Sequence, residues 1–141
     1  MKGYWNRPED TAATIVDGWL HSGDMARKDE DGFYYIMDRK KDMIISGGEN
    51  IYPAEIEDSL LAHPAIADVG VIGCPDEKWG EAVKAVVVVQ EGHSLTQEEL
   101  IEWCRGKIGR YKIPKTVVFA DSLPRTPTGK ILKRVLRDEY N

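Results

Sequence analysis

The segment Pro124-Arg125-Thr126-Pro127-Thr128-Gly129-Lys130 places a lysine directly after a glycine, on a stretch that two prolines stiffen and that is too polar to bury. A Gly-Lys pair invites a phosphate-binding P-loop reading. That reading fails, because Pro124 falls where the first glycine must stand, and Ile131 follows the lysine where a Ser or Thr would hold Mg²⁺. What remains is a cation held out on a loop before a helix, which is either solvated surface or a point charge for an incoming anion. Ser46-Gly47-Gly48-Glu49-Asn50 carries paired glycines between a strand and a helix; it is either a plain turn or a place where a missing Cβ admits a thin ligand. Asp38-Arg39-Lys40-Lys41-Asp42 is a charge cluster of the kind that usually marks a wet linker. In Trp19-Leu20-His21-Ser22-Gly23-Asp24, the aspartate either caps its own turn or accepts hydrogen bonds from ribose hydroxyls. His21, His63 and His93 are scattered, with no nucleophile or metal partner at useful spacing, and no Gly-x-Ser-x-Gly or dinucleotide fingerprint occurs.

The elements that must position these groups follow from periodicity. Residues 1–18 show no period that could build a core face alone. Met25-Ala26-Arg27 and Phe33-Tyr34-Tyr35-Ile36-Met37 flank a turn-forming stretch ending in Gly32, which predicts a β-hairpin. Met43-Ile44-Ile45 reads as a short strand, and Pro53 sits where a helix starts, running to about residue 61 before His63-Pro64. The β-branched runs 66–74 and 82–89 predict two strands paired in one sheet. Thr96 with Glu99 forms a capping box, and Leu95 with Leu100 a hydrophobic staple, for a helix beginning at Gln97. Residues 116–120 read as a strand and 123–129 as a loop; Ile131, Leu132, Val135 and Leu136 form an apolar stripe on a terminal helix. The sum is an α+β fold from about Arg39 to the end, a short β-sheet flanked by helices, preceded by strands that belong to something else.

Composition narrows the function. The chain has 141 residues and a net charge of −5, which disfavours a general nucleic-acid binder. The charge is uneven: residues 107–137 hold nine basic side chains against the single acid Asp121, +8, leaving −13 elsewhere. The basic residues Lys133, Arg134 and Arg137 read as the solvated face of the terminal helix. Cys74 and Cys104 lack metal-ligand spacing, no apolar run reaches the length of a membrane span, and no signal-type apolar region follows the basic first residues. These features predict a cytoplasmic protein with no structural zinc, disulfide or membrane span.

Taken in order, five strings carry a resemblance: Gly18-Trp19-Leu20-His21-Ser22-Gly23-Asp24, Asp38-Arg39-Lys40-Lys41-Asp42, Ser46-Gly47-Gly48-Glu49-Asn50-Ile51-Tyr52-Pro53-Ala54-Glu55-Ile56-Glu57, Pro75-Asp76-Glu77-Lys78-Trp79-Gly80 and Pro124-Arg125-Thr126-Pro127-Thr128-Gly129-Lys130. Together they closely resemble the C-terminal part of AMP-forming acyl-CoA synthetases, members of the adenylate-forming enzyme superfamily. The resemblance covers essentially the whole chain. It implies a small mobile C-terminal domain over residues 39–141, and a tail of a large N-terminal adenylation domain, with its β-hairpin, over residues 1–38.

The resemblance also implies a two-step ligase. A carboxylic acid attacks the α-phosphate of ATP to give acyl-AMP and pyrophosphate, and the thiol of CoA then displaces AMP. Lys130 matches the adenylation lysine, which contacts the nucleotide, and Asp24 and Arg39 match the pair that grips its ribose. Lys41 matches the hinge. Gly47 and Gly48 match the loop that lines the pantetheine tunnel, and Trp79 and Tyr111 match contacts to the CoA nucleotide; Ile113 stands where certain relatives offer an arginine. Mg²⁺ is expected with ATP, held mainly by the N-terminal domain and not by a metal site here. That domain, with its phosphate loop and acyl pocket, is not found in these residues, so Met1 is expected to mark a boundary within a longer protein and the isolated chain to be inactive. The competing expectation is a stand-alone module that binds CoA or a carrier protein without catalysis.

Overall fold

Pro8, with Glu9 and Asp10 behind it, opens a helix that apolar periodicity does not reveal. The computed structural model describes residues 1–141, and the chain divides into two compact units, Met1–Lys41 and Asp42–Asn141. In the first unit, helix α1 (Pro8–Thr14) leads into β1 (Ile15–Val16) and β2 (Trp19–Leu20). Asp17 and Gly18 turn between them at φ of 51° and 80°, the left-handed pair that a two-residue hairpin requires. The expected hairpin forms as β3 (Asp24–Lys28) and β4 (Tyr34–Arg39), antiparallel. Asp29 Oδ1 accepts the Phe33 N–H at 2.8 Å to close its loop. No residue of this unit is buried. Trp5, Trp19, Phe33, Tyr34 and Ile36 all lie open.

The second unit holds the core. Its elements are β5 (Ile44–Ser46), β6 (Glu49–Ile51), α2 (Pro53–Leu61), β7 (Ile66–Asp76), β8 (Gly80–Val89), α3 (Gln97–Cys104), β9 (Thr116–Phe119) and α4 (Lys133–Tyr140). The sheet order is β6-β5-β8-β7, with β9 parallel to β8. A parallel pair needs a crossover, and α3 lies in that connection. Alternation along β7 and β8 splits the core between two faces. Val69, Val71, Val83, Ala85 and Val87 pack with Ile56, Leu60 and Leu100 of α2 and α3. Ile72 and Val86 face the other way, against Leu123 and the fully buried Leu136 of α4. Gly70 makes that approach possible, since a Cβ there would lie 2.7 Å from Leu136 Cδ1.

Two differences from the sequence reading bear on function. The terminal helix begins at Lys133 instead of Ile131, because Ile131 bridges to Arg125 and the Leu132 N–H donates to Pro124 O at 2.8 Å, which holds both residues in the loop. The basic face of α4 is also not simply solvated. Lys133 pairs with Glu57 at 2.8 Å and Arg137 with Asp42 at 2.8 Å. Glu57 also serves the sheet, because its Oε1 accepts the Val71 N–H at 2.8 Å and so covers an outward donor of β7, which pairs only with β8.

Helix α3 shows the capping box expected for it, with Thr96 Oγ1 accepting the Glu99 N–H at 3.2 Å and Glu99 Oε2 accepting the Thr96 N–H at 2.8 Å. Thr96→Ala is expected to lower stability by about 1 kcal/mol. Urea denaturation checks this, and an unchanged midpoint would contradict the role of the cap.

Candidate functional site

Lys130 ends a small hairpin whose backbone is closed on itself. Thr126 N–H donates to Lys130 O at 2.8 Å, Gly129 N–H to Thr126 O at 2.9 Å, and Lys130 N–H to Thr126 Oγ1 at 3.1 Å. Gly129 sits at φ +86°, where a side chain would be strained. Arg125 braces the hairpin against the sheet: one guanidinium nitrogen donates to Gly129 O, and the other to Asp68 Oδ2 of β7 at 2.6 Å. The Lys130 side chain is exposed and its ammonium has no hydrogen-bond or ion-pair partner. A fixed backbone thus carries an unspent charge on a long flexible stem.

More than half of the cations in its neighbourhood are paired instead. Of the nine basic residues in 107–137, five are paired with carboxylates: Lys112 with Glu55, Lys115 with Asp76, Arg125 with Asp68, Lys133 with Glu57 and Arg137 with Asp42. Lys107 lies over Trp103, 3.5 Å from the ring centroid. The stretch that is +8 by sequence is therefore mostly neutralised in the fold.

Gly47 and Trp79 come together. The two glycines turn between β5 and β6 at φ +60° and +86°, and a Cβ on Gly47 would lie 2.7 Å from Trp79 Cε3. Gly47 N–H also donates to Trp79 O at 2.9 Å. The indole is partly exposed, with the ammonium groups of Lys78 and Lys115 at 4.7 and 5.0 Å from its ring centroids. Asp76 organises this corner, its Oδ1 accepting the N–H groups of Trp79 at 2.9 Å and Lys78 at 3.0 Å while Oδ2 meets Lys115 at 3.3 Å.

The Trp79 N–H, outweighing burial, and then the Lys78 N–H and the Lys115 ammonium hold the Asp76 carboxyl below the ordinary 3.8. A carboxyl depressed in the fold stabilises it above the unfolded pKa, and that contribution fades as pH falls through the folded pKa. Asp76→Asn is therefore expected to flatten the stability profile at and below about pH 4. Denaturation midpoints measured across that range check it; parallel profiles for the two proteins would refute it.

Asp24 and Arg39 are register partners on β3 and β4, with Arg39 Nε 3.2 Å from Asp24 Oδ1. Lys40 N–H donates to Gly23 O at 2.8 Å. Beside them Ser22, Gly23, Arg39, Lys40 and Lys41 line an open cleft of about 510 Å³. Lys41 lies at the division between the two units, in a 3₁₀ turn over Lys40–Asp42. Gly48 has open space around it, whereas Tyr111 stands in another 3₁₀ turn, its ring against Gly109 and 5.5 Å from the Lys112 ammonium. No group of three or more His, Cys, Asp or Glu side chains is placed to hold a metal ion. No helix is long and apolar enough to cross a membrane.

Sequence reasoning missed Arg125 and Asp68 as the brace of the Lys130 loop, and Lys78, Lys115 and Asp76 as the setting of Trp79. Asp76 had a local signal, an aspartate just before the amides it accepts. Lys115 and Asp68 had none, being 39 and 57 residues from their partners.

Comparison with known proteins places this arrangement. The AMP-binding enzyme C-terminal domain matches residues 55–130. The chain is 51% identical over 141 residues to the long-chain-fatty-acid–CoA ligase FadD13 of Mycobacterium tuberculosis, covering 100% of this chain and 28% of the relative. It is 54% identical over 140 residues to a feruloyl-CoA synthase of Amycolatopsis, covering 99% and 28%. Among solved structures, the o-succinylbenzoate CoA synthetase of Bacillus subtilis in complex with its acyl-adenylate intermediate superposes with a TM-score of 0.91 at 44% identity, over 98% of this chain and 28% of that one. The chain thus spans little more than a quarter of the length of these relatives. On the domain match and on identities above half the aligned residues, the chain belongs to the AMP-binding enzyme C-terminal domain family and corresponds to the C-terminal portion of acyl-CoA ligases of the adenylate-forming superfamily.

Proposed function

We propose that this chain is the mobile lid of an AMP-forming ligase that joins a carboxylic acid to CoA at the expense of ATP. The observation that carries the reading is the unpartnered Lys130 ammonium on a braced hairpin, in a stretch where most other cations are neutralised. In the first step a carboxylate oxygen attacks the α-phosphorus of ATP, forming acyl-AMP and releasing pyrophosphate. Lys130 bridges the carboxylate and α-phosphate oxygens as charge gathers on them, an electrostatic role that needs no proton transfer. Asp24 accepts from the ribose hydroxyls with Arg39 beside it, and Lys41 is the pivot about which residues 42–141 turn between steps. In the second step the CoA thiol adds to the acyl carbonyl and AMP leaves. Gly47 and Gly48 leave room for the pantetheine arm, while Trp79 and Tyr111 contact the nucleotide end of CoA. Lys78 and Lys115 face the same indole and extend that assignment.

The first unit, without a buried residue and with its aromatics open, supports reading residues 1–38 as the tail of a larger N-terminal domain and 39–141 as the lid. That domain supplies the acyl pocket and any ligands for the magnesium that accompanies ATP; none is assigned here. Two free cysteines and no disulfide favour a reducing compartment such as the cytoplasm. A free-standing CoA or carrier-protein module would draw on the cationic stretch, and the internal ion pairs there weaken that alternative.

The test is a chimera in which residues 1–141 replace the matching 28% of the Mycobacterium tuberculosis ligase. The chimera is expected to make acyl-CoA from a fatty acid, ATP and CoA, and the chain alone to make neither adenylate nor thioester. A well-folded chimera that releases no pyrophosphate would overturn the proposal.

A further inference from the structure

We infer that Arg137 is a positioning residue whose ion pair with Asp42 fixes the point about which the second unit turns. The inference rests on the reading of Lys41 as the hinge. Asp42 is the first residue of the second unit. Its carboxylate Oδ1 accepts from Arg137 Nη2 at 2.8 Å across 95 residues of sequence, with the two side chains only 13% and 30% exposed. Two positions further on, Ile44 is sealed in the core at 1% exposure.

The helix bearing Arg137 cannot easily give way. Leu136, beside it, is fully buried against the sheet, and Lys133, one turn earlier, holds Glu57, which in turn accepts the Val71 N–H. Asp42 is therefore tied to the body by its side chain and, through Ile44, by its backbone. Lys41 on the other side is exposed, and its ammonium has no partner. Backbone freedom ends at Asp42, so rotation is confined to Lys41. Without the guanidinium, rotation would spread over residues 41–43, and Lys130, carried with the body, would arrive over a wider range of positions. Small displacements of a reacting group cost rate steeply, so the loss falls on turnover rather than on substrate binding.

The experiment has two arms. In the 141-residue chain, Arg137→Met is expected to speed hydrogen exchange in residues 40–45 about tenfold while β7 and β8 keep their protection. No local change, or an increase spread over the whole sheet, would overturn the inference by making the pair neutral or merely structural. In the chimera, Arg137→Met is expected to lower kcat roughly tenfold with KM little changed, and the reversed pair Asp42→Arg with Arg137→Asp to recover most of it. An unchanged kcat, or a loss the reversed pair does not recover, would also overturn it. Lys41→Pro, which fixes φ at the pivot, separates this from the hinge reading. If Lys41→Pro leaves turnover intact, the hinge assignment fails whatever Arg137 does; if Lys41→Pro stops turnover and Arg137→Met changes neither exchange nor kcat, only the anchor fails.

Discussion

In the chimeric ligase, Lys130→Ala is expected to slow acyl-adenylate formation by roughly 10²- to 10³-fold, about 2.7–4 kcal/mol of transition-state stabilisation, as for other preorganised charges aimed at developing oxyanions. The loss should appear in kcat, because the ammonium acts where charge concentrates on the carboxylate and α-phosphate oxygens and contributes less to binding the separate substrates. Lys130→Arg should recover only part of the rate. A guanidinium keeps the charge but spreads it over a planar fork that a single bridging position does not match. The fold should be indifferent to either change, since the side chain is exposed and no ion pair depends on it. Pyrophosphate release under saturating substrates measures the effect, and an Ala variant within twofold of the parent would exclude the assigned role.

Leu136→Ala is expected to destabilise the second unit by about 2–5 kcal/mol, the lost burial of the side chain plus the cost of the cavity left behind. Leu136 is fully buried between α4 and the sheet, and the small core there has few other members: Ile72, Val86 and Leu123. Against the roughly 5–15 kcal/mol that a domain of this kind has in total, the change is severe. It should also loosen the Lys133–Glu57 and Arg137–Asp42 pairs, because both depend on where α4 sits. Urea denaturation followed by circular dichroism reads the loss, and a shift worth less than about 1 kcal/mol would show that α4 is held chiefly by its ion pairs.

Local signals carry much of this fold. Pro53, the capping box of Thr96 and Glu99, and the β-branched runs of β7 and β8 each specify their own element through nearby residues. Elements without such signals escape a reading of the sequence. Helix α1 has seven residues and no buried face, and β6 has three residues with Ile51 alone buried, so neither leaves a hydrophobic period to read. The start of α4 is misplaced by its apolar stripe, because the first two apolar residues are recruited by the preceding loop through contacts to Arg125 and Pro124. Lys130 is visible as a cation on a stiff loop, and Gly47 and Gly48 as a tight turn. Their surroundings are not visible: Asp68 under Arg125, Trp79 over Gly47 and Asp42 under Arg137 are juxtapositions made by the tertiary fold, and no spacing rule encodes them. The same holds for charge, since a stretch that reads as +8 along the chain loses most of its field once its members find carboxylates on other elements.

The most direct measurement of the central claim separates the two half-reactions in the chimera carrying Lys130→Ala. One single-turnover experiment starts from carboxylic acid and ATP; the other starts from preformed acyl-adenylate and CoA. If Lys130 serves the phosphoryl centre alone, the first reaction falls by roughly two to three orders of magnitude and the second proceeds at the parent rate. Equal losses in both, or a first reaction that keeps its parent rate, would contradict the claim.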